Sequence, residues 1–347
     1  MIYQSRIHSE AHQFKAGLSF VYDSYKELLN STPYRRKEAV PGAFAEYTYT
    51  YKEKLDVVTG MRIDHNNLFG WFATPRLNVR YAPFTNTTIR LSAGRGQRTA
   101  NIFAENIGVL VSARQIQILN NGEKDKAYGL NPEVAWNKGV SVDQKFKLFS
   151  REANLGIDFF RNDFIAQVVV DLEDPGLVKF YNLNGKSYSN SFQAELNFVP
   201  VKKLDVRLAY RYFDVQMAYG GQLHEKPFTA PHRAFANLAY DLSGWKLDYT
   251  INYNGRKRIP STSQNPVTYQ LPSYSPSYIT MNAQVSRTLG KKKLVDVYLG
   301  GENLTGYFQK NAILAASDPF GPYFDASLIW GPVTGRLVYA GFRYSFK

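Results

Sequence analysis

The chain has 347 residues, with 42 Lys and Arg against 29 Asp and Glu for a formal net charge of +13, enough length for one large β-domain or two ordinary ones. Cysteine is absent, which excludes a disulfide framework and any Cys-based metal site, and the lack of a run of about 18 apolar residues excludes a transmembrane helix. The basic residues are spread along the chain apart from the run Lys291-Lys292-Lys293, a distribution suited to rims beside anionic lipid headgroups and not to a clustered nucleic-acid-binding face.

The N-terminus, Met1-Ile-Tyr-Gln-Ser-Arg-Ile-His8, is polar and carries no signal peptide. An exported protein needs one, so the chain is expected to be a piece of something larger. From Phe14 onward every second residue tends to be apolar, the period of a β-strand with one greasy and one polar face. After a first strand near His12 to Asp23, Ala43, Ala45, Tyr47, Tyr49 and Tyr51 alternate with Phe44, Glu46, Thr48 and Thr50. Leu204, Val206, Leu208, Tyr210 and Tyr212 alternate with Asp205, Arg207, Ala209 and Arg211. Trp245 to Asn254 and Ile279 to Ser286 repeat the pattern, and Val338, Ala340, Phe342, Tyr344 and Phe346 close it. Mean hydropathy is −0.35; in such a chain this means that half of each strand faces water. The 25 Tyr and 23 Phe suit the aromatic girdles of a membrane barrel.

A soluble sandwich also alternates, so the connections have to decide. Short turns fall at Lys52-Glu53-Lys54, Pro83 to Asn86, Phe149 to Arg151, Pro200 to Lys203, Leu242 to Gly244 and Leu289 to Lys293. Between them lie longer stretches at roughly 25–38, 64–71, 99–131, 171–177, 214–231, 255–276 and 309–331. Long loops confined to one end are the mark of an outer-membrane barrel. Seven long and six short connections make fourteen antiparallel strands in an all-β transmembrane barrel. Within the longest gap, Asn101 to Arg114 is expected to form a turn or two of helix over the pore, since loops of that size are usually functional.

The water-facing parity places Arg62, Arg76, Arg80, Arg90, Asp158, Glu195, Asp205, Arg207, Arg211, Arg233, Asp248, Asp296 and Arg343 inside the lumen, where they avoid the cost of about 2–4 kcal/mol for a charge at the lipid midplane. They are expected to pair with a plug or to attract an anionic ligand, with Arg207 and Arg211 as contacts. Arg95 would face lipid, so its strand is expected to have left the hydrocarbon or bulged there. Arg95, Arg98, Glu105 and Arg114 are then ligand candidates on or beside the long loop. Gly94-Arg-Gly-Gln-Arg-Thr99 lacks the Lys-Ser/Thr pair of a phosphate loop. His8, His12, His65, His224 and His232 are scattered and no Gly-x-Ser-x-Gly elbow occurs, so neither a metal site nor an enzyme is expected, and no cofactor.

Gly300-Gly-Glu-Asn-Leu-Thr305 within a penultimate strand, Asp318 to Ser327, and the closing Gly335-Arg-Leu-Val-Tyr-Ala-Gly-Phe-Arg343 resemble the end of a TonB-dependent outer-membrane receptor. Pro41 to Tyr47, Arg62-Ile-Asp64, Thr74-Pro-Arg-Leu77 and Ala93 to Ala100 resemble the mid-barrel of the same family in its Bacteroidetes-type form. The resemblance implies a 22-stranded barrel around an N-terminal plug, taking up a scarce ligand such as a siderophore or other metal chelate. On that reading residues 1–347 are one partial barrel domain, without the plug and first strands, and TonB would be met only through the missing region. The ending Gly341, Tyr344, Phe346 matches the family's signal for the barrel-assembly machinery, although Lys347 follows the aromatic. Outer-membrane lipid and a small molecule are the other expected partners, in the bacterial outer membrane. A self-contained fourteen-strand channel and a barrel-embedded hydrolase are the competing readings. If the strands are the last part of a larger wall, the first and last should leave an open edge.

Overall fold

A computed structural model describes residues 1–7, 9–119, 126–290 and 294–346; His8, the basic run 291–293 and Lys347 lie outside the described residues. The wall is one antiparallel sheet. Its strands are β1 (Ile2–Arg6), β2 (His12–Leu29), β3 (Thr32–Tyr51), β4 (Leu55–Asn66), β5 (Gly70–Phe84) and β6 (Thr87–Arg98), then β8 (Glu133–Leu148), β9 (Arg151–Ala166), β12 (Ser187–Phe198) and β13 (Leu204–Tyr219), and finally β15 (His232–Leu242), β16 (Trp245–Asn254), β17 (Tyr278–Leu289), β18 (Val295–Glu302) and β19 (Leu337–Tyr344). Short β14 (Gln222–Glu225) pairs only with the end of β13, and β7 (Gln115–Leu119), β10 (Val168–Asp171) and β11 (Leu177–Asn182) form a separate small sheet. The fourteen expected strands are all present, and β1, which precedes the first strand expected near His12, adds a fifteenth along the wall. Its five residues pair with Gln13 to Gly17 of β2.

Tight turns join the strands at one end, and five of the seven connections at the other are long, but two expected long loops are tight turns and several boundaries move. The stretch 25–38 is paired: β2 and β3 run 18 and 20 residues and meet in a two-residue turn at Asn30-Ser31. About 9–11 residues suffice to cross the hydrocarbon, so this hairpin stands well beyond it. Its inward face has a packing partner there, described below, which explains the pairing of so polar a stretch. The gap at 64–71 shrinks to three residues between Asn66 and Gly70, and β13 continues to Tyr219 before folding back into β14. The wall breaks from 167 to 186, wider than 171–177, because β10 and β11 make their own hairpin in between. Asn303, Leu304 and Thr305 lie past the end of β18, so the final loop is 303–336.

Two-residue turns of type I′, which match the right-handed twist of the strands, need positive φ at both centres. Phe149 and Ser150 adopt φ of 52° and 61° without a glycine, a conformation costing about 1 kcal/mol for an L-residue. Ser150→Gly should therefore raise unfolding stability by about 1 kcal/mol, read from the urea midpoint of the refolded chain.

Register settles which face is which. Val295, Val297 and Leu299 stand opposite Tyr344, Phe342 and Ala340 on the outer side, and Asp296 stands opposite Arg343 inside. Phe20, Trp71, Val338 and Phe342 are largely exposed on that outer side, as lipid-facing residues should be. At the turn end Arg287 lies over the Trp245 ring, 4.8 Å from its centroid, an interfacial pairing. The glycine of the terminal motif has a steric reason. A Cβ on Gly341 would sit 2.4 Å from the Tyr298 hydroxyl, and one on Gly300 would meet the Tyr339 ring in the same way, so each inward tyrosine lies across the glycine of the next strand.

Charge is not confined to the inner parity, contrary to expectation. Lys26, Arg35, Lys37, Arg95, Lys138, Arg161 and Asp163 share the outward parity near the loop end. Arg161 donates to Asp163 at 2.8 Å and Lys138 approaches it at 3.5 Å. The strands outlast the hydrocarbon there, so outward charge meets water or headgroups. The β6–β8 register runs unbroken from Thr87 to Arg98, so no bulge occurs at Arg95.

The sheet does not close. β1 pairs with β2 alone and β19 with β18 alone, as expected for a partial wall. No helix among the described residues is long and apolar enough to cross a membrane.

Candidate functional site

The apolar core of the chain lies at the loop end, not in the wall. Ile102, Phe103, Tyr128, Leu130, Val178 and Phe180 are buried together, with Tyr34 of β3 and Phe228 packed against them. The Phe103 ring meets Tyr34 and Tyr128 at 5.2 Å edge-on and Phe180 at 6.4 Å. Three distant segments thus make one cap. The stretch 99–131 supplies the broken 3-10 turn Ala104–Leu110 and β7, in line with the short helix expected there. β7 pairs in parallel with β11, and the β2–β3 hairpin forms the outer wall. Tyr128 donates to Glu27 at 2.5 Å, Thr99 to Glu38 at 2.9 Å, and Arg36 to the Asn101 side-chain oxygen. Burial, then the Glu27 carboxylate, raises the Tyr128 pKa. Burial also pushes Tyr181 of β11 up to about 12, and its hydroxyl donates to Asp171 at 2.8 Å.

Arg114 ties the final loop to this cap. Its Nε donates to Asp325 at 2.7 Å, and Nη1 reaches the carbonyls of Leu172, Asp174 and Leu177 at 3.0, 2.7 and 3.3 Å. Both side chains are almost fully enclosed, 1% and 7% exposed. The Arg114 guanidinium thus acts as a strut, since a buried cation needs its counter-charge and acceptors in place, with only its Nη2 left without a partner among the described residues. Backbone bonds from Ala113 to Phe324 (2.8 Å) and from Ala326 to Val111 (3.0 Å) flank it. Arg258 fastens the 255–277 loop in turn, with bonds of 2.7 and 3.0 Å to Glu173.

Between the cap and the wall lies a cavity of about 480 Å³ lined by Arg98, Glu105, Glu133, Gln167 and Lys226 over an apolar floor that includes Ile102 and Val168. Arg98 binds both oxygens of Glu105 at 2.8 Å and Glu133 at 2.7 Å. Two carboxylates already neutralise it. Arg95 is elsewhere: it points outward and donates to the Ala73 carbonyl at 3.0 Å. The ligand candidates thus separate into Arg98 and Glu105 at the cavity, Arg114 inside the cap and Arg95 on the outer wall.

Along the lumen the wall neutralises most of its own arginines. Arg76 pairs with Glu46, Arg90 with Asp143, Arg80 with Asp56 at 3.0 Å, Arg62 with Asp64 at 2.6 Å and Arg207 with Glu195 at 2.8 Å. Pairing within and between strands of the wall, not expected from parity alone, thus supplies carboxylates to arginines that parity assigned to a plug or a ligand. Among the described residues no group of three or more His, Asp or Glu is placed to hold a metal ion. Asp325, Glu173, Arg258 and Tyr128 were missed as partners; nothing in their local sequence signals a contact so far along the chain.

The profile of the family described as TonB dependent receptor-like, beta-barrel matches residues 5–304. This chain belongs to that family. Among solved structures the receptor barrel is similar to a variant of the ferric enterobactin receptor PfeA from Pseudomonas aeruginosa in complex with enterobactin, at 14% identity and a TM-score of 0.72, covering 99% of this chain and 53% of that one. It is similar to the siderophore receptor PirA from Acinetobacter baumannii at 15% identity and a TM-score of 0.68, over 99% and 54% of the two chains. The copper transporter OprC gives 12% identity and a TM-score of 0.70, over 98% and 54%. The receptor barrel thus spans about half the length of these neighbours, and the likeness establishes its fold. No curated protein sequence matches it significantly.

Proposed function

We propose that the chain is the wall of an outer-membrane receptor that takes up a metal chelate of the siderophore class. The observation that carries this is the loop end: in a family of TonB-dependent receptors, distant loops are knitted into a cap over a polar-mouthed cavity. On this reading the tight turns are periplasmic and the cap extracellular, the outward Lys26, Arg35 and Lys37 lie at the level of anionic headgroups, and Gly341, Tyr344 and Phe346 serve recognition by the barrel-assembly machinery. An N-terminal plug and further strands would complete the barrel, and the energy-coupling TonB complex would act through that plug. Receptors of this kind bind and move their cargo without altering it, so the chain is not an enzyme. A self-contained channel would need a β1–β19 ladder, which the sheet lacks.

Cells carrying the gene, grown under iron limitation, should accumulate radiolabelled ferric enterobactin saturably, and an uncoupler of the proton gradient should stop it. Linear, uncoupler-insensitive flux would instead mean a passive channel. No difference from a deletion strain with ferric enterobactin, ferric citrate or copper would remove the metal-chelate reading.

A further inference from the structure

Two adjacent lumen arginines have no acidic cross-strand neighbour among the described residues. Arg211 of β13 and Arg233 of β15 stand directly opposite one another in register. Their other cross-strand neighbours at that level are Gln193 and Asn254, both neutral. Like charges in such a pair destabilise a sheet. The nearest acid on one diagonal, Glu195, is bonded to Arg207 at 2.8 Å and Asn197 at 2.9 Å. Asp158 lies beyond Gln193, two strands from Arg211, or about 10 Å at the usual strand spacing. Among the described residues neither arginine makes an ion pair, and the Arg211 Nε is buried with no hydrogen-bond partner. Lys257, on the loop after β16, adds a third positive group. It is 7% exposed, its Nζ donates to the Trp330 carbonyl, and burial followed by the charge of Arg233 lowers its pKa. A depression of about 410 Å³ opens on the pair, with Gln193, Asn252, Asn254 and Thr280 around it and the mutually paired Glu195 and Arg207 at its side.

We propose that Arg211 and Arg233, backed by Lys257, form an oxyanion site on the lumen wall, suited to a carboxylate. A guanidinium fork matches a carboxylate in two parallel bonds, and neutral amides beside it complete the acceptor's shell. The carboxylate comes either from a diffusible polycarboxylate solute or from an acidic side chain inside the lumen. The site needs only the inner face of the wall, so it stands or falls separately from the uptake reading.

The test is thermal unfolding of the full chain in detergent with citrate at matched ionic strength, comparing wild type with R211Q/R233Q and R211K/R233K. For a diffusible anion, citrate raises the wild-type midpoint saturably, by about 5 °C at a hundredfold excess over its dissociation constant. The glutamine pair loses this response and the lysine pair keeps part of it. For an internal acid, citrate has no effect, the glutamine pair melts lower and the lysine pair recovers most of the loss. Three results overturn the site: equal citrate shifts in wild type and glutamine variant, no citrate effect with a glutamine variant as stable as wild type or more so, or a lysine pair melting as low as the glutamine pair.

Discussion

Asp325→Ala should loosen the mouth cap by about 3–5 kcal/mol, the cost of leaving one member of a buried ion pair uncompensated. Arg114 would remain enclosed, with three carbonyls as its only acceptors. The loss belongs to the cap and not to the wall. Hydrogen exchange of β7 and β11 amides should quicken by two orders of magnitude or more, while β16 and β17 keep their protection. A double variant, R114M/D325L, should recover much of the loss, because an apolar pair of similar volume removes both the charge and its desolvation. Unchanged exchange in Asp325→Ala would show that the final loop does not brace the cap.

The second large effect tests the parity of the wall. Ile251 and Thr250 are neighbours on β16, but Ile251 stands opposite Ala236 and Met281 on the lipid side and Thr250 opposite Asn237 and Asn282 inside. Ile251→Arg should cost about 2–4 kcal/mol in vesicles. Thr250→Arg should cost about 1 kcal/mol, the worth of the bond that Asn237 donates to its hydroxyl at 2.8 Å. Urea unfolding from phospholipid vesicles measures both. Equal losses would mean that the register is shifted by one residue, since such a slip exchanges the two faces.

The wall was readable because lipid imposes one rule on every strand. Trp245 to Asn254 alternates without a break and is a strand over that whole span. At 25–38 the same rule misleads: Glu27, Tyr34, Arg36 and Glu38 look like loop residues because their inward face meets protein instead of water. Arg114 shows why the site was harder. A loop arginine reads as a free cation until its partner is known, and Asp325 is 211 residues away. Parity put Arg98 on the lumen side, but its ion pairs with Glu105 and Glu133, from the long loop and from β8, are invisible to that rule.

The sequence alone determined the all-β class, the fourteen main strands, their inner and outer faces and the family, because each rests on local period or on motifs within a strand or two. Tertiary structure decided the rest: the cap, its buried Arg114–Asp325 tie, the ion pairs that neutralise most lumen arginines, and the juxtaposition of Arg211 with Arg233. Those depend on which distant residues share a level across the sheet or a loop cluster. Nearest-neighbour chemistry along the chain carries no record of that register.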